Sequence, residues 1–189
     1  MNTIVTVYLK QLKDLSIDHY TVEHPYLKTV KDVLAYCKLV YSDGASTLVF
    51  KVDDDYVEVI RRDDCKIDMN KLRSLTGAKQ IRMATPEEFT EVTDLEPGTA
   101  RVYLPQIKKV FIDKLIFEKE YIQTGSGSFT TSIRCKTSDL SKIPNSQIVN
   151  VARIPTVKTI TTSGIKRVFS GVRATGRLHL GNYLGAVKG

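Results

Sequence analysis

Two β-rich runs joined by an acidic turn place the strongest constraint on how this chain can fold. Residues 46–52 read STLVFKV, residues 56–60 read YVEVI, and Asp53–Asp55 separate them. Branched and aromatic residues favour strands, and a short polar connection between two such runs is typical of a β-hairpin. The sequence therefore predicts an antiparallel pair. The three aspartates could also be read as metal ligands, but a solvated turn is the commoner role at a hairpin tip.

Helical patterns and further short strands surround this hairpin. The predicted helices are Thr3–Leu15, Val30–Leu39 after an N-cap at Thr29, a segment from Asp68 that Gly77 stops, and a short helix opened by Pro86 with Thr85 as its cap. The other predicted strands are Tyr20–Glu23, Val110–Ile112, Tyr121–Gln123 and Phe129–Arg134. Helices mixed with hairpin-linked strands indicate an α+β domain.

Composition excludes several classes of protein. The chain has 189 residues, of which 42% are hydrophobic and 26% charged, and this balance is typical of a globular domain. Its three cysteines have no C-x-x-C spacing, so we expect neither a disulfide framework nor a metal site. The net charge of +7 permits binding to a polyanion such as tRNA without requiring it. No long apolar run or leader pattern occurs, and we expect a cytoplasmic protein without membrane contact.

Periodicity weakens from about residue 141, where serine, threonine and proline accumulate in IPNSQ and IPTVKTITTSG. Such composition is typical of a connector. We therefore predict a first domain over 1–145, a linker over 146–166, and the start of a second domain over 167–189.

Four glycines lie close together in the final segment, which reads SGVRATGRLHLGNYLGAVKG over residues 170–189. A short apolar run precedes them, so the predicted order is strand, glycine-rich turn and helix, as in nucleotide-binding folds. Glycines let the backbone approach a polyphosphate, and the first helical N–H groups attract negative charge. The alternative is a glycine-rich turn that binds no ligand.

This segment resembles the HIGH-motif region of tryptophanyl-tRNA synthetases, which are class I enzymes. The resemblance implies the first βα unit of a truncated Rossmann-type domain, a parent protein that ligates tryptophan to tRNA, and ATP as the cofactor. The implied ATP-binding residues are Arg173, Thr175, Gly176, His179, Gly181 and Asn182. Ala174 departs from the proline that is usual in the family, and Arg173 from a common glutamine. Because the sequence reaches neither a second strand nor the KMSKS loop, we expect that this polypeptide cannot activate tryptophan by itself.

Residues 1–140 resemble a second family, the YbaK-like aminoacyl-tRNA deacylases, which include the editing insertion of bacterial prolyl-tRNA synthetases. The segments that carry the resemblance include EHP at 23–25, STLVF at 46–50, RMATPEE at 82–88, LEPG at 95–98 and TGSGS at 124–128. The resemblance implies a mixed or antiparallel sheet with packed helices, and a pocket where water cleaves the ester between a wrong amino acid and tRNA. The implied pocket residues are Ser46, Gly98 and Gly125.

Two departures weaken the catalytic interpretation. Ser46 stands where the family has a lysine, and Val102 stands where its G-x-x-x-P loop has proline. Lys51 is no substitute for that lysine, because an odd spacing on a strand puts it on the face opposite Ser46. His24 is interpreted as a packed or capping group and is given no catalytic role.

The sequence leaves the function between three alternatives. The domain could bind and hydrolyse mischarged aminoacyl-tRNA, bind an aminoacyl or acceptor-stem end without hydrolysis, or support folding or homodimerisation of the parent. A basic stretch, Lys108, Lys109 and Lys114, is equally compatible with a tRNA-facing surface and with a solvated strand.

Overall fold

The hairpin predicted over residues 46–60 lies at the centre of the molecule. The structure, a computed structural model, describes residues 3–155. Strands β2 (Ala45–Val52) and β3 (Asp55–Arg62) pair antiparallel, with Ser46 opposite Arg61. Asp53 takes a left-handed conformation at the turn, and its carboxylate accepts hydrogen bonds from the backbone amides of Lys79 and Gln80. The acidic turn therefore anchors the segment that contains Lys79 and Gln80.

The four predicted helices and the four other predicted strands are present, and most bounds differ by a few residues; four further short strands were not predicted. The helices are α1 (Thr3–Asp14), α2 (Val30–Tyr36), α3 (Met69–Thr76) and α4 (Pro86–Thr93). The remaining strands are β1 (His19–Glu23), β4 (Lys66–Ile67), β5 (Ile81–Met83), β6 (Lys109–Asp113), β7 (Tyr121–Gly125), β8 (Thr131–Lys136), β9 (Ser146–Val149) and β10 (Ala152–Arg153).

These strands form three sheets. The largest is mixed and has the order β5-β2-β3-β6-β9, in which β6 runs parallel to β3 and β9 parallel to β6. An antiparallel sheet of order β1-β8-β7 and the short pair β4-β10 complete the fold. This arrangement confirms the predicted α+β class with a mixed sheet.

Both faces of the large sheet are buried, and strand β6 shows how. Val110 and Ile112 point to one side, where they pack with Tyr8 and Leu12 of α1. Phe111 points to the other side, where it packs with Leu72 of α3. Because successive side chains on a strand alternate between faces, one continuous apolar run can serve two core layers.

Several helix termini are capped, and the predicted cap at Thr85 and stop at Gly77 are among them. The Asp68 carboxylate accepts from the amides of Asn70 and Lys71, and Gly77 ends α3 in the left-handed conformation, with φ 69°. Thr85 and Glu88 form a reciprocal capping box at the start of α4. Helix α2 ends at Tyr36, three residues before its predicted end.

The segment after residue 145 differs from the predicted connector. Residues 146–149 form β9 in the large sheet, and residues 152–153 pair with β4. The buried carboxylate of Asp113 accepts from the amides of Val151 and Ala152, at 2.9 and 2.7 Å, and so fixes this segment against β6. The folded domain therefore continues past residue 145, because strand pairing and a distant carboxylate outweigh the local composition.

The predicted synthetase-like segment, 167–189, and most of the predicted linker lie outside the described residues. Within residues 3–155, no helix is both long enough and apolar enough to cross a membrane.

Candidate active site

A cleft of about 440 Å³ opens beside strand β2. Its lining includes β2 residues 45–49, the end of β7, the loop that precedes β8, residues of α2 and the start of α4. Most of the lining is apolar and includes Leu27, Val30, Val33, Leu34, Met83, Phe89 and Phe129. Apolar clefts with a few convergent polar groups are the usual form of a small-ligand site.

Two glycine-containing loops meet at this cleft, and they contain the predicted site residues Gly98 and Gly125. Gly98 has φ 97°, a conformation that side chains rarely adopt. A Cβ at Gly125 would overlap the carbonyl oxygen of Ala100, so only glycine permits the two loops to touch. The Gly127 amide donates to the Thr99 carbonyl at 3.0 Å and joins the loops further. Ser46, Gly98 and Gly125 all line the cleft.

Three buried side chains of the lining have polar atoms without a hydrogen-bond partner among the described residues. They are the Thr47 hydroxyl, the Gln123 side-chain carbonyl and the Thr124 hydroxyl. Each of these residues is at least nine-tenths buried. A buried polar atom without a partner costs roughly 1–3 kcal/mol, and such atoms are rare in folded proteins. All three residues belong to the wall of the cleft.

Ser46 does not stand alone at the position of the family's lysine. Its hydroxyl donates to Oδ1 of Asp63 at 2.5 Å, and Asp63 also lines the cleft. Burial raises the pKa of Asp63 to about 6, against the lowering effects of the Ser46 hydrogen bond and the Arg61 charge. Arg61 Nη1 lies 3.6 Å from the same oxygen. The cleft thus holds a carboxyl group where the family is expected to place a cation.

His24 is packed into the wall of the cleft by both of its ring nitrogens. Nδ1 lies 2.8 Å from the Pro25 carbonyl oxygen, and Nε2 lies 2.7 Å from the Ser132 hydroxyl. A carbonyl only accepts, so Nδ1 carries the proton, and in the neutral ring Nε2 accepts from Ser132. The Tyr36 ring lies edge-on to the imidazole, with 6.1 Å between the ring centroids. These contacts fit the structural role that the sequence favoured.

Two lysines near the site, Lys51 and Lys28, differ in their position relative to the cleft. Lys51 lies outside the lining and pairs with Glu88 at 3.2 Å, in agreement with its predicted opposite face. Lys28 lies at the exposed edge of the cleft. Within the described lining, Lys28 is the only lysine or arginine, so a phosphate that approaches the opening meets a positive charge there.

A set of buried residues contacts the loop that contains Gly98 and the segment that follows it. Arg101 follows Gly98 in the loop, and its guanidinium carbon lies 4.7 Å from the centroid of the Tyr8 ring. Glu58 of β3 is fully buried, and its Oε2 accepts from the Leu104 amide at 3.1 Å. Burial raises the pKa of Glu58 to about 8, although the Leu104 amide and the Arg101 charge oppose this rise. The loop therefore rests on a buried cation and a carboxyl that is largely protonated at neutral pH.

Sequence reasoning missed four residues of the cleft: Asp63, Thr47, Gln123 and Thr124. A signal for Asp63 was present in the hairpin. With a two-residue turn at Asp53 and Asp54, counting back along the strands puts Ser46 opposite Arg61, so Asp63 follows two residues later beside the strand end. No comparable local signal marked Gln123 or Thr124, because β7 reaches β2 only through tertiary packing.

The mixed sheet, short capped helices and glycine-lined cleft define an α+β domain with a small-ligand pocket, and comparison with known proteins identifies its family. The model of the aminoacyl-tRNA editing domain matches residues 24–143, more than half of the chain. The chain belongs to this family.

Similar proteins include proline–tRNA ligases and solved structures. The Staphylococcus epidermidis ligase is 28% identical over 95 residues, which cover 50% of this chain and 17% of that enzyme. The Heliobacterium modesticaldum ligase is 40% identical over 79 residues, which cover 42% of this chain and 13% of that enzyme. The match thus spans less than a fifth of either relative.

Among solved structures, one described as a candidate trans-editing enzyme for prolyl tRNA synthetase has a TM-score of 0.72 and 17% identity. The match covers 81% of this chain and 99% of that one. At this identity the likeness establishes the shared fold.

Proposed function

We propose that this domain binds mischarged aminoacyl-tRNA in the cleft beside β2 and hydrolyses the ester that joins the amino acid to the terminal ribose. The observation that carries the proposal is the cleft itself, in which Gly98 and Gly125 of two touching loops and the Ser46–Asp63 pair line the same apolar space. Membership of the editing family supplies the chemistry that such a cleft serves.

The reaction adds water across the ester. The water oxygen bonds to the acyl carbon, the bond from that carbon to the ribose oxygen breaks, and the released ribose hydroxyl takes up a proton. Hydroxyl and amide groups already fixed in a partly dry cleft can orient both the water and the ester at little reorganisation cost. The Ser46 hydroxyl and the Asp63 carboxyl group are the polar pair of the lining that could do this, and Gly98 and Gly125 shape the space around them.

Exposed tyrosines beside the cleft support binding of the single-stranded tRNA end. Tyr26 is 62% exposed and packs on Phe129 of the lining, with ring centroids 5.2 Å apart. Tyr36 is 52% exposed and contacts His24. Aromatic side chains next to a cation are the usual platform for unpaired bases, and Lys28 provides the cation.

A panel of misacylated tRNAs incubated with the 189-residue chain tests the proposal. We expect slow deacylation of at least one member and a loss of at least tenfold in rate for Ser46→Ala, which removes the hydroxyl that holds Asp63. Ser74→Ala, at an exposed position of α3, is the matched control and should leave the rate unchanged. If no member of the panel is hydrolysed, the catalytic proposal fails.

One alternative function has its own supporting observation. Ser46 replaces the lysine expected from the family, which favours a domain that holds an aminoacyl-tRNA end without cleaving it. Binding of a misacylated tRNA without turnover would identify this alternative. Loss of a homodimer on deletion of the domain, with tRNA affinity unchanged, would instead identify a role in assembly.

We further propose that residues 167–189 begin the nucleotide-binding domain of a tryptophanyl-tRNA synthetase-like protein. The support is the segment Gly171–Ala186, in which His179, Gly181 and Asn182 match the HIGH-motif pattern; Arg173, Thr175 and Gly176 belong to the same proposed ATP site. Tryptophan-dependent ATP–pyrophosphate exchange by the full-length gene product would test this. Exchange that is absent, or that survives His179→Ala undiminished, would refute it.

A further inference from the structure

We propose that the Asp63 carboxylate binds the α-ammonium group of the aminoacyl moiety, so that this cleft selects substrates with a free amino group. The inference rests on the proposed function, since it assigns one part of the substrate to one side chain of the same site.

The position of Asp63 suits a ligand rather than a surface ion pair. Its side chain is only 5% exposed, yet it lines the cleft. Oδ1 is held by the Ser46 hydroxyl, whereas Oδ2 accepts no hydrogen bond within residues 3–155. A carboxylate has about four acceptor sites, so most of its bonding capacity is unused. An ammonium group has three N–H donors, so it suits a carboxylate with one oxygen that already accepts a hydrogen bond and one that accepts none.

Gly44 makes this arrangement possible. A Cβ at residue 44 would overlap Oδ2 of Asp63, and the Gly44 carbonyl accepts the Asp63 amide at 2.9 Å. The backbone therefore fixes Asp63, and the absence of a side chain at residue 44 lets its second oxygen lie against the Gly44 backbone. Such precise placement of a buried carboxylate is costly unless it gains a partner.

The charged side chains around Asp63 do not fully neutralise its carboxylate, so a cationic ligand can bind there. Asp63 is the only carboxylate in the described lining of the cleft. Arg61 approaches Oδ1 at 3.6 Å, beyond a good hydrogen bond, and its Nη1 donates instead to the Arg62 carbonyl at 2.6 Å. The neighbouring Asp64 is occupied by Arg62 in a two-point contact. The negative charge of Asp63 is thus only partly compensated by protein groups.

The same placement also provides specificity. An aminoacyl ester carries a protonated amine near neutral pH, whereas an N-acylated or peptidyl ester carries none. A charge-assisted hydrogen bond to a buried carboxylate is roughly twice as strong as a neutral one. A cleft with this contact therefore favours aminoacyl-tRNA over N-blocked and peptidyl-tRNA.

Binding of a non-hydrolysable analogue tests the inference without any need for turnover. The probes are 3′-(L-alanylamino)-3′-deoxyadenosine and its N-acetyl derivative. Both carry the small alanine side chain, so that its size does not prevent entry into the cleft. Titration calorimetry at pH 6.8 with the 189-residue chain should show at least tenfold tighter binding of the free amine. Asp63→Asn, which keeps the size of the side chain and an acceptor for Ser46, should bind both probes equally. Asp54→Asn, at the exposed hairpin tip, should retain the preference.

Each other result overturns the inference. Equal affinity of the wild-type chain for both probes, absence of binding by either probe, or a preference that survives Asp63→Asn would do so. The N-acetyl comparison uses the unmodified protein and so does not depend on the folding of a variant. Deacylation of misacylated tRNA without a preference for the free amine would leave the proposed hydrolysis standing and refute the role of Asp63. A preference for the free amine without deacylation would leave the role of Asp63 standing and refute the proposed hydrolysis.

Discussion

Replacement of Glu58 by glutamine should remove a pH-dependent loss of stability from this protein. Glu58 is fully buried on β3, and its only hydrogen bond within residues 3–155 is the one accepted from the Leu104 amide. Burial raises its pKa from 4.5 to about 8. Glutamine keeps a carbonyl acceptor for the amide but cannot ionise.

The sign and size of the effect follow from proton linkage. Between pH 4.5 and 8 the folded chain holds a proton on Glu58 that the unfolded chain has released, so stability falls as the pH rises. Each pH unit in that interval costs up to about 1.4 kcal/mol, which gives roughly 4–5 kcal/mol by pH 9. Solvent does not screen this carboxyl group, because the side chain is fully buried. Between pH 5.5 and 8.5 we expect a fall of about 3 kcal/mol from this carboxyl.

Urea unfolding at pH 5.5, 7.0 and 8.5 measures this fall. Glu58→Gln should lie within about 1–2 kcal/mol of the wild type at pH 5.5, which is the scale of one altered hydrogen bond, and should gain about 3 kcal/mol relative to it at pH 8.5. Glu91→Gln, at an exposed position of α4, is the control and should keep the wild-type slope. A wild-type stability that is flat or rises over this range, or the same slope in Glu58→Gln, would refute the reasoning.

Other predictions concern the loops, the cleft edge and the chain end. Gly125→Ala should lower the free energy of unfolding by at least 2 kcal/mol in urea titrations, because its methyl group overlaps the Ala100 carbonyl; an unchanged value would contradict the loop contact. Tyr26→Ala should weaken tRNA binding by about 1–3 kcal/mol in filter binding while leaving the melting temperature near that of the wild type, as expected for loss of base stacking. Truncation after residue 145 should abolish cooperative unfolding, whereas truncation after residue 155 should preserve it, since only the longer form keeps the amides that bond Asp113.

Local signals in the sequence were sufficient for most of the fold. The hairpin at 46–60 depends on two runs joined by a short turn, the cap at Thr85 and the stop at Gly77 depend on residues within four positions of one another, and the structure confirms each of them. The parallel pairing of β3 with β6 could not be read in this way. Those strands are separated by about 50 residues, and their partners are chosen by the burial of both sheet faces.

The connector predicted after residue 145 was wrong for the same physical reason. Its composition resembles a linker, but Asp113 supplies a buried acceptor for two of its amides, and β6 supplies a free edge for strand β9. Neither partner is adjacent in sequence, so no window over residues 141–155 contains the information. Pairing with a distant edge can override weak local preference, as strand propensities generally allow.

The residues of the cleft show which features of the site the family resemblance predicts and which it does not. Resemblance located Ser46, Gly98 and Gly125 in one pocket, and the structure places all three in the lining. It also drew attention to the missing lysine, which weakens the case for catalysis if that position is considered alone. The structure changes this interpretation, because Ser46 holds the Asp63 carboxyl group and the absence of a side chain at Gly44 lets its second oxygen lie against the backbone. Where the resemblance implies a lysine, the cleft holds a serine-supported carboxyl group, which has the opposite charge when ionised. Since charge decides which end of an aminoacyl ester binds at a given point, this pocket should orient its substrate through the amino group.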